Sequence, residues 1–165
     1  MIRLATLADV PALHALVERA YRGPASRAGW TSEADFLTGP RTDAATLTAI
    51  VTDPAQSFLV AIPVDAINAC VAVSDKGGGV AYLGMLAVEP AGQTQGLGRT
   101  MIAAAEDHAR RFGATRMEIT VVDHRRALIA WYERRGYIRT GEERPFPPEL
   151  IEDTPLAFMV MTKPL

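Results

Sequence analysis

The stretch from Val88 to Arg99 reads VEPAGQTQGLGR, and it decides the fold because it joins an apolar strand to a helix through a glycine-rich turn. The first turn of a helix carries backbone N–H groups that have no partner within the helix. The helix dipole adds a partial positive charge at the same place. Glycine at positions 96 and 98 lets a bulky anion approach the main chain closely. The stretch therefore predicts a site for a phosphate or pyrophosphate group, to which Arg99 adds a charged contact.

Motifs within the same stretch narrow the kind of phosphate ligand. A Walker loop requires Gly-Lys-Ser/Thr, and the chain has no such triplet. The dinucleotide fingerprint Gly-x-Gly-x-x-Gly also fails, because Met101 stands where its third glycine would be. The pattern that fits is Gln-x-x-Gly-x-Gly, at Gln93, Gly96 and Gly98. This pattern alone leaves one alternative open, namely that the glycines only form the turn at which the helix begins.

Composition is typical of a single-domain globular protein. The chain has 165 residues, of which 48% are apolar and 22% charged, and this length suits one domain of about 100–200 residues. The net charge of −2 argues against a basic nucleic-acid binder, since neutralising phosphates needs a surplus of Lys and Arg. One cysteine, Cys70, fits a reducing compartment.

Targeting, membrane and metal signals are weak throughout the sequence. The start lacks the pattern of a signal peptide, and the apolar run from Phe58 to Val73 is too interrupted and too short for a membrane span. No His/Cys/Asp cluster has the spacing of a metal site. We therefore expect a cytoplasmic protein that acts without nucleic acid, membrane or metal.

Hydrophobic periodicity predicts the order β-α-α-β-β-β-α-β-α-β-β, an α/β domain around a mixed sheet. The strands are expected at 1–5, 57–63, 66–74, 80–88, 115–122, 137–142 and 156–162. The helices are expected at 8–21, from the cap Asp43 to about Asp53, at 97–112 and at 125–135. Residues 22–41 lack periodicity and are expected as a long loop, with a short helix near 32–37 as an option.

A second informative stretch, HRRALIAWYERRGY at residues 124–137, follows another strand. Through this stretch, the strand 82–88 that runs into Pro90, and the Gln-x-x-Gly-x-Gly loop, the chain resembles the GCN5-related N-acetyltransferase (GNAT) superfamily. The matching motifs cover about residues 80–140, and the element order extends the likeness to one domain over 1–165. The resemblance implies a mixed, mostly antiparallel central sheet of six to seven strands, flanked by about four helices.

The cofactor implied by the resemblance is acetyl-CoA, as a co-substrate, without a metal. Main-chain groups from Thr94 to Arg99 would bind its pyrophosphate. The backbone of the strand before the loop would pair with the pantetheine arm, in a gap between strands 82–88 and 115–122. One N–H there would polarise the acetyl carbonyl like an oxyanion hole. The residues assigned to the cofactor in this way are Leu86, Ala87, Val88, Gln93, Thr94, Gln95, Gly96, Leu97, Gly98, Arg99, His124 and Tyr132.

The implied reaction is direct attack of a neutral amine on the thioester in a ternary complex. Tyr132 occupies the family's general-acid position, and its phenol suits proton donation to a thiolate. The alternative is that Tyr132 packs in the core with its hydroxyl merely satisfied. His124 stands where many relatives carry Asn. It could replace that residue's contact with the pantetheine, shuttle a proton near neutral pH, or cap the helix, as Asp123 could equally do.

The general base follows less directly from the motifs. Relatives often use a Glu on the strand that corresponds to 81–86, and this strand has no carboxylate here. The remaining candidates are Glu118 on the next strand, Glu33 and Asp35 in the long loop, and a chain of water molecules.

The acceptor site is expected at the long loop. Trp30 beside Glu33 and Asp35 suits a cationic amine, through charge pairing and cation–π contact. A place for Trp30 in a satellite core is the alternative, and Arg41 or Arg144 could equally bind an acceptor carboxylate.

The function expected from these features is transfer of an acetyl group from acetyl-CoA to a primary amine of a small molecule or peptide. One alternative is a GNAT domain that holds CoA as a sensor or scaffold without turnover. Another is an enzyme that uses a different acyl donor or an oxygen acceptor. The last two strands could pair across subunits, which would make a homodimer.

Overall fold

The computed structural model describes residues 1–27, 39–63, 65–93, 95–146 and 156–165. Within these residues, the strands are β1 (Ile2–Leu4), β2 (Gln56–Ala61), β3 (Ala69–Asp75), β4 (Val80–Val88), β5 (Arg116–Val122), β6 (Ile138–Pro145) and β7 (Ala157–Pro164). The helices are α1 (Val10–Tyr21), α2 (Gly23–Arg27), α3 (Ala44–Thr52), α4 (Leu97–Arg111) and α5 (Arg126–Glu133). Short 3-10 turns at Leu7–Asp9 and Pro90–Gly92 precede α1 and α4.

All seven strands form one mixed sheet in the order β1-β2-β3-β4-β5-β7-β6. Neighbouring strands are antiparallel except β4 and β5, which run parallel. This arrangement confirms the predicted fold class of a mostly antiparallel sheet flanked by helices. One parallel pair among antiparallel strands requires a crossover, and α4 provides it between β4 and β5.

Both faces of the central strands are buried, because successive side chains of a strand point to opposite faces. In β2, Leu59 and Ala61 belong to one apolar cluster, while Phe58 and Val60 belong to the other. The first cluster includes buried residues of α4 and α5, and the second includes those of α1 and α3. Helices on both sides therefore fix β3 and β4 at the centre of the molecule.

The sheet opens between β4 and β5. Their parallel pairing covers three residues and ends at Tyr82 opposite Glu118. Farther along, β5 stays paired with β7 as far as Val122 opposite Phe158, whereas β4 continues to Val88 without β5 beside it. The predicted gap between these two strands is thereby confirmed.

A β-bulge in β4 lies at the level of this opening. Cys70 pairs with Ala87 and Ala72 pairs with Gly84, so that Val71 alone faces two residues of β4. One of these two, Met85, has a φ of 46°. This left-handed conformation costs a residue with a side chain roughly 1–2 kcal/mol. A bulge bends its strand and takes the extra residue out of the ladder, so it helps β4 to diverge from β5.

Sequence periodicity placed most elements within three residues of their observed bounds, but it missed one helix. Residues 22–41 were expected to be a loop, and α2 occupies 23–27. Proline fits the first turn of a helix because its missing N–H has no partner there anyway, and Pro24 is the second residue of α2. A helix of five residues is too short to show periodicity. The optional helix near 32–37 lies outside the described residues.

Candidate active site

The turn before α4 is shaped by Gly96. This residue is the N-cap of α4 and has a φ of +83°, a backbone conformation that L side chains rarely adopt. Its carbonyl accepts the N–H of Thr100 at 3.1 Å, which closes the first helical turn. No described side chain caps this helix end. The free N–H groups of the first turn therefore remain available to an anion.

Gln93 stabilises the turn from within. Its carboxamide donates to the carbonyl of Val88 at 3.2 Å, and its backbone N–H donates to Pro90 across the 3-10 turn. The end of β4 is thus held against the loop that leads to α4. The glutamine of the motif therefore has a structural role in the turn, and it also lines a cavity.

A cavity of ≈ 360 Å³, here called the first cavity, lies between the end of β4, the turn at Gly96 and α5. Eight of the twelve residues predicted to bind the cofactor line it: Leu86, Ala87, Val88, Gln93, Gly96, Gly98, Arg99 and Tyr132. Gln95, Leu97 and His124 are not among its described lining residues, and Thr94 lies outside the described residues.

The first cavity is strongly cationic. Arg99, Arg134 and Arg135 line it, and no Asp or Glu stands among its described lining residues. Arg135 stacks on the Trp131 ring, with its guanidinium carbon 3.5 Å from the ring centroid. Burial lowers the pKa of Arg135, and the charges of Arg134 and Arg99 lower it further. A bound anion would relieve this repulsion, so the arrangement fits phosphate groups.

The two arginines at the end of α5 are absent from the set predicted from sequence. Arg134 and Arg135 belong to a run of basic residues that is typical of a solvated surface. Only the packing of α5 beside the start of α4 shows that they share a cavity with Arg99. One feature of the sequence could have indicated a special position: both residues directly precede Gly136, a glycine of the kind that ends a helix.

A second cavity of ≈ 230 Å³ lies in the opening between β4 and β5. Its walls come from the end of α1, from Pro40 and Arg41, from both strands, and from the aromatic residues Phe146 and Phe158. The residues shared by the two cavities are Tyr21, Leu86, Arg125, Leu128 and Tyr132. The cavities therefore meet beside the bulge of β4.

Tyr132 stands where the cavities meet. It is buried, and its ring packs edge-on against Trp131 and Tyr137, with centroids 5.1 Å and 5.5 Å away. Burial raises the pKa of its phenol well above the ordinary value. None of the described residues forms a hydrogen bond with its hydroxyl, which is therefore a neutral donor available to a ligand.

Tyr21 is a site residue that the sequence did not predict. Its hydroxyl donates to the carbonyl of Leu86 at 2.7 Å, which ties the end of α1 to the bulge. In the sequence, Tyr21 ends the apolar face of α1 and looks like an ordinary core residue. Its polar contact depends on a carbonyl that the bulge exposes, and no local pattern predicts that.

Glu118, the candidate base on β5, forms an ion pair with Arg144 at 2.9 Å. It lies opposite Tyr82 at the closed end of the opening, and it is not among the described lining residues of either cavity. Its role as the base stays a prediction. Trp30, Glu33 and Asp35, predicted for the acceptor site, lie outside the described residues.

His124 is paired with its neighbour in the chain. Its Nδ1 lies 2.7 Å from the carboxylate of Asp123, and its side chain is 37% exposed. The helix α5 begins at Arg126 with Arg125 as its N-cap, and no side chain caps it there. The expectation that His124 or Asp123 caps this helix is therefore wrong, because the helix begins one residue later than expected.

Neither a membrane span nor a metal site is found among the described residues. None of their helices combines the length and apolar character that a membrane crossing requires. Among the same residues, no three His, Cys, Asp or Glu side chains come together as ligands for a metal ion.

Solved structures with the same fold include N-acetyltransferases and complexes with acetyl-CoA or coenzyme A. The chain is similar to ribosomal-protein-S18-alanine N-acetyltransferase from Escherichia coli, with 20% identity, a TM-score of 0.77, and coverage of 99% of this chain and 92% of that chain. It is also similar to yncA from Salmonella typhimurium, solved with its cofactor acetyl-CoA, with 20% identity, a TM-score of 0.74, and coverage of 100% and 93%.

A third similar structure is the PaiA N-acetyltransferase from Thermoplasma acidophilum in complex with coenzyme A. It shows 16% identity and a TM-score of 0.75, with coverage of 100% of this chain and 98% of that chain. At such identities these likenesses show the fold alone. No curated protein matches the chain significantly.

The family comparison covers the site itself. The model of the acetyltransferase (GNAT) family matches residues 12–137, well over half of the chain, and this range includes the turn at Gly96 and the helix that carries Tyr132. The chain therefore belongs to the acetyltransferase (GNAT) family.

Proposed function

We propose that this protein transfers an acetyl group from acetyl-CoA to a primary amine of a small molecule or peptide, by direct attack within a ternary complex. The proposal rests on one feature above all: two cavities of different character meet at Tyr132. One suits a long phosphorylated coenzyme, and the other gives a second substrate access to the same point.

The residues of the first cavity fit acetyl-CoA. The main chain from Gly96 to Arg99 would hold the pyrophosphate, with N–H groups that no described side chain caps. Arg99, Arg134 and Arg135 would bind phosphate oxygens, since none of them pairs with a carboxylate among the described residues. Arginine suits phosphate because its planar fork of N–H donors matches the oxygens of the anion.

The exposed edge of β4 would hold the pantetheine arm. Beyond Tyr82 no described strand pairs with β4 on the side of β5, so an extended chain can add there as a strand would. The bulge at Met85 and Leu86 places main-chain groups outside the ladder next to Tyr132. A main-chain N–H aimed at a developing oxyanion typically stabilises the transition state by about 3–4 kcal/mol.

Bound acetyl-CoA supplies an acetyl thioester, and the net transfer forms a nitrogen–carbon bond, breaks the carbon–sulfur bond, and moves one proton from nitrogen to sulfur. Tyr132 is suited to the sulfur side of this exchange. Because burial raises the pKa of its phenol, the hydroxyl keeps its proton at every pH at which amines become neutral. It can therefore donate a hydrogen bond to the sulfur as negative charge develops there.

The experiment that tests the proposal is a thiol-release screen. The protein is incubated with acetyl-CoA and a panel of polyamines, aminoglycosides, amino acids and peptides with free N-termini, and free CoA and the acetylated product are measured. Tyr132→Phe and a reaction without amine serve as controls. We expect amine-dependent release of CoA matched by acetylated product.

Two outcomes would count against the proposal in different ways. Tight binding of acetyl-CoA with no turnover for any amine would support a CoA-binding sensor or scaffold instead. If succinyl-CoA or a longer acyl-CoA is consumed faster than acetyl-CoA, that compound and not acetyl-CoA is the acyl donor. Neither outcome would change the family or the fold.

A further inference from the structure

The second cavity carries positive charge on its described walls. Arg22, Arg41 and Arg125 line it, and none of its described lining residues is Asp or Glu. A bound ammonium group would be repelled by these guanidinium groups, and its pKa would be lowered. An amine whose only charge is positive is therefore a poor match for this wall.

Among these arginines, Arg41 is the one best suited to bind an anion. Its guanidinium lies over the ring of Tyr21, 5.0 Å from the centroid, and no carboxylate among the described residues pairs with it. The flat guanidinium binds a carboxylate through two parallel hydrogen bonds, which an ammonium group cannot do.

The main chain around Arg41 is fixed by α1. One carboxylate oxygen of Glu18 accepts the backbone N–H groups of Arg41 and Thr42, at 2.7 Å and 2.9 Å. The Nε of Arg22 donates to the carbonyl of Gly39 at 3.0 Å. Glu18 thus binds the backbone of Arg41 and not its guanidinium. The guanidinium of Arg41 lies over the ring of Tyr21 instead.

The same cavity also has apolar lining residues. Phe146 and Phe158 stack with their centroids 4.3 Å apart, and Met85 and Tyr82 lie beside the bulge. Such a surface buries an apolar or aromatic body, at about 25 cal/mol for each Å² removed from water. The cavity of ≈ 230 Å³ lies below the roughly 300–1,000 Å³ that is usual for drug-sized ligands, so its occupant is small.

We propose that the acceptor is an α-amino acid with an apolar or aromatic side chain, and that Arg41 binds its carboxylate. The inference rests on the proposed function and names its substrate class. Tyr21 connects the two places: its ring lies under the guanidinium of Arg41, and its hydroxyl donates to the carbonyl of Leu86, which lines both cavities. An amine on the carbon next to the carboxylate suits a separation that one side chain spans.

Arg41 also serves the chemistry. Its guanidinium neutralises the carboxylate, and the α-ammonium group loses one proton to water before the attack. The resulting neutral nitrogen forms the new bond to the acetyl carbon, and the electron pair of the broken carbon–sulfur bond stays with sulfur. One of the two protons left on nitrogen passes to that sulfur, and the amino-acid carboxylate is unchanged. No described carboxylate of the cavity is needed as a base.

The kinetic test compares matched acceptors that differ only in the carboxylate. L-phenylalanine is compared with phenethylamine, and L-leucine with isoamylamine, in the wild type and in Arg41→Gln, Arg41→Lys and the control Arg116→Gln. Arg116 is exposed and lines neither cavity. We expect the wild type to prefer the amino acids, and Arg41→Gln to lower kcat/KM for them about 10- to 100-fold while the simple amines change little. Arg41→Lys should fall between.

Equal losses for both members of a pair in Arg41→Gln, or a wild-type preference for the simple amines, would overturn the inference and leave acetyl transfer intact.

A second measurement does not depend on turnover. Calorimetry with 3-phenylpropionate, which has the carboxylate but no amine, should show binding to the CoA-loaded wild type and about tenfold weaker binding to Arg41→Gln. If no amine is acetylated but this difference appears, the proposed function fails and the carboxylate site stands. Equal affinities, or no binding, would remove the site.

Discussion

The two cavities that meet at Tyr132 are built in opposite ways. The first cavity takes nearly half of its described lining residues from one continuous stretch, the end of β4 and the turn at Gly96, where main-chain N–H groups face a ligand site. The second takes side chains from α1, Arg41, two diverging strands and the aromatic pair Phe146 and Phe158. A main-chain site tolerates wide sequence variation around a few glycines, whereas a side-chain site can be rebuilt for each acceptor. Under the proposed function, this contrast would let one fold keep its coenzyme while its acceptor changes.

The largest effect is expected from a change in the turn itself. Gly96→Glu forces a side chain into the left-handed conformation and places a negative charge where the pyrophosphate would lie. Strain and repulsion together should cost about 4 kcal/mol, which is close to a 1,000-fold loss of acetyl-CoA affinity by calorimetry.

Gly113→Glu is the matched control for that variant. Gly113 has a φ of +90°, no atom lies within 4 Å of the place that a Cβ would take, and the residue follows the opposite end of α4. It therefore shares the backbone strain and the added charge but not the cavity. Unchanged affinity in Gly96→Glu, or an equal loss in Gly113→Glu, would contradict the role of the turn.

The next largest effect is expected at the junction of the cavities. Tyr132→Phe removes the buried hydroxyl and should lower kcat about 100-fold, with acetyl-CoA affinity changed less than about twofold. Tyr137→Phe is the control, because its hydroxyl donates to Glu106 at 3.0 Å and lies outside both cavities. It should lower the free energy of unfolding by about 1 kcal/mol and leave kcat unchanged. Equal kcat in Tyr132→Phe and the wild type would remove Tyr132 from the reaction.

The pH dependence of the rate follows from the environment of Tyr132. Its phenol must be protonated to donate, and burial raises its pKa above the ordinary value near 10. The protonated fraction therefore stays complete as the pH rises, while more of the amine becomes neutral. We expect kcat/KM to rise with pH and to show no falling limb below about pH 10. A falling limb near pH 9 that disappears in Tyr132→Phe would mean that this phenol titrates in a solvated state.

A smaller effect is expected from one of the phosphate-facing cations. Arg135→Gln removes one of the three arginines of the first cavity that pair with no described carboxylate, and it should weaken acetyl-CoA binding about tenfold without a large change in kcat. Because charge carries the contact, raising the salt concentration should reduce the difference between variant and wild type. Arg139→Gln, on exposed β6, is the control and should bind normally. A tenfold fall in kcat with normal affinity would mean that Arg135 acts on the reaction instead.

The smallest effect separates two readings of Glu118. A general base there would make Glu118→Gln lose about 100-fold in kcat. The ion pair with Arg144, and the place of Glu118 outside the described walls of both cavities, favour a loss of less than about threefold. Arg144→Gln, which breaks the same pair from the other side, should match it. A large loss in Glu118→Gln alone would restore its role as the base.

The sequence predicted which residues come together in the first cavity, because the information there is local. A strand, a glycine turn and a helix start are consecutive in the chain, and Gly96 needs its positive φ whatever packs around it. Tyr132 is likewise placed by a local element, the short helix α5, and it lines the first cavity together with Gly96. Eight predicted residues consequently line one cavity.

The second cavity could not be predicted in the same way, because distant contacts form it, although Arg41 was named from the sequence as a candidate for binding an acceptor carboxylate. Tyr21 reaches the carbonyl of Leu86 only because the bulge exposes it, and Arg41 takes its place only because Glu18 holds the backbone there. The partner of Glu118 is likewise 26 residues away in the chain, at Arg144. Hydrophobic periodicity carries no information about such contacts. The loop carboxylates Glu33 and Asp35 lie outside the described residues and stay predictions.

A crystal structure with CoA tests the central claim most directly. We predict that the diphosphate lies within hydrogen-bond distance of the main-chain N–H groups from Gly96 to Arg99. We also predict that the arm lies along β4 past Tyr82, and that the sulfur ends next to the hydroxyl of Tyr132. A coenzyme bound elsewhere on the protein, or a sulfur directed away from Tyr132 with the opening between β4 and β5 closed, would contradict this claim.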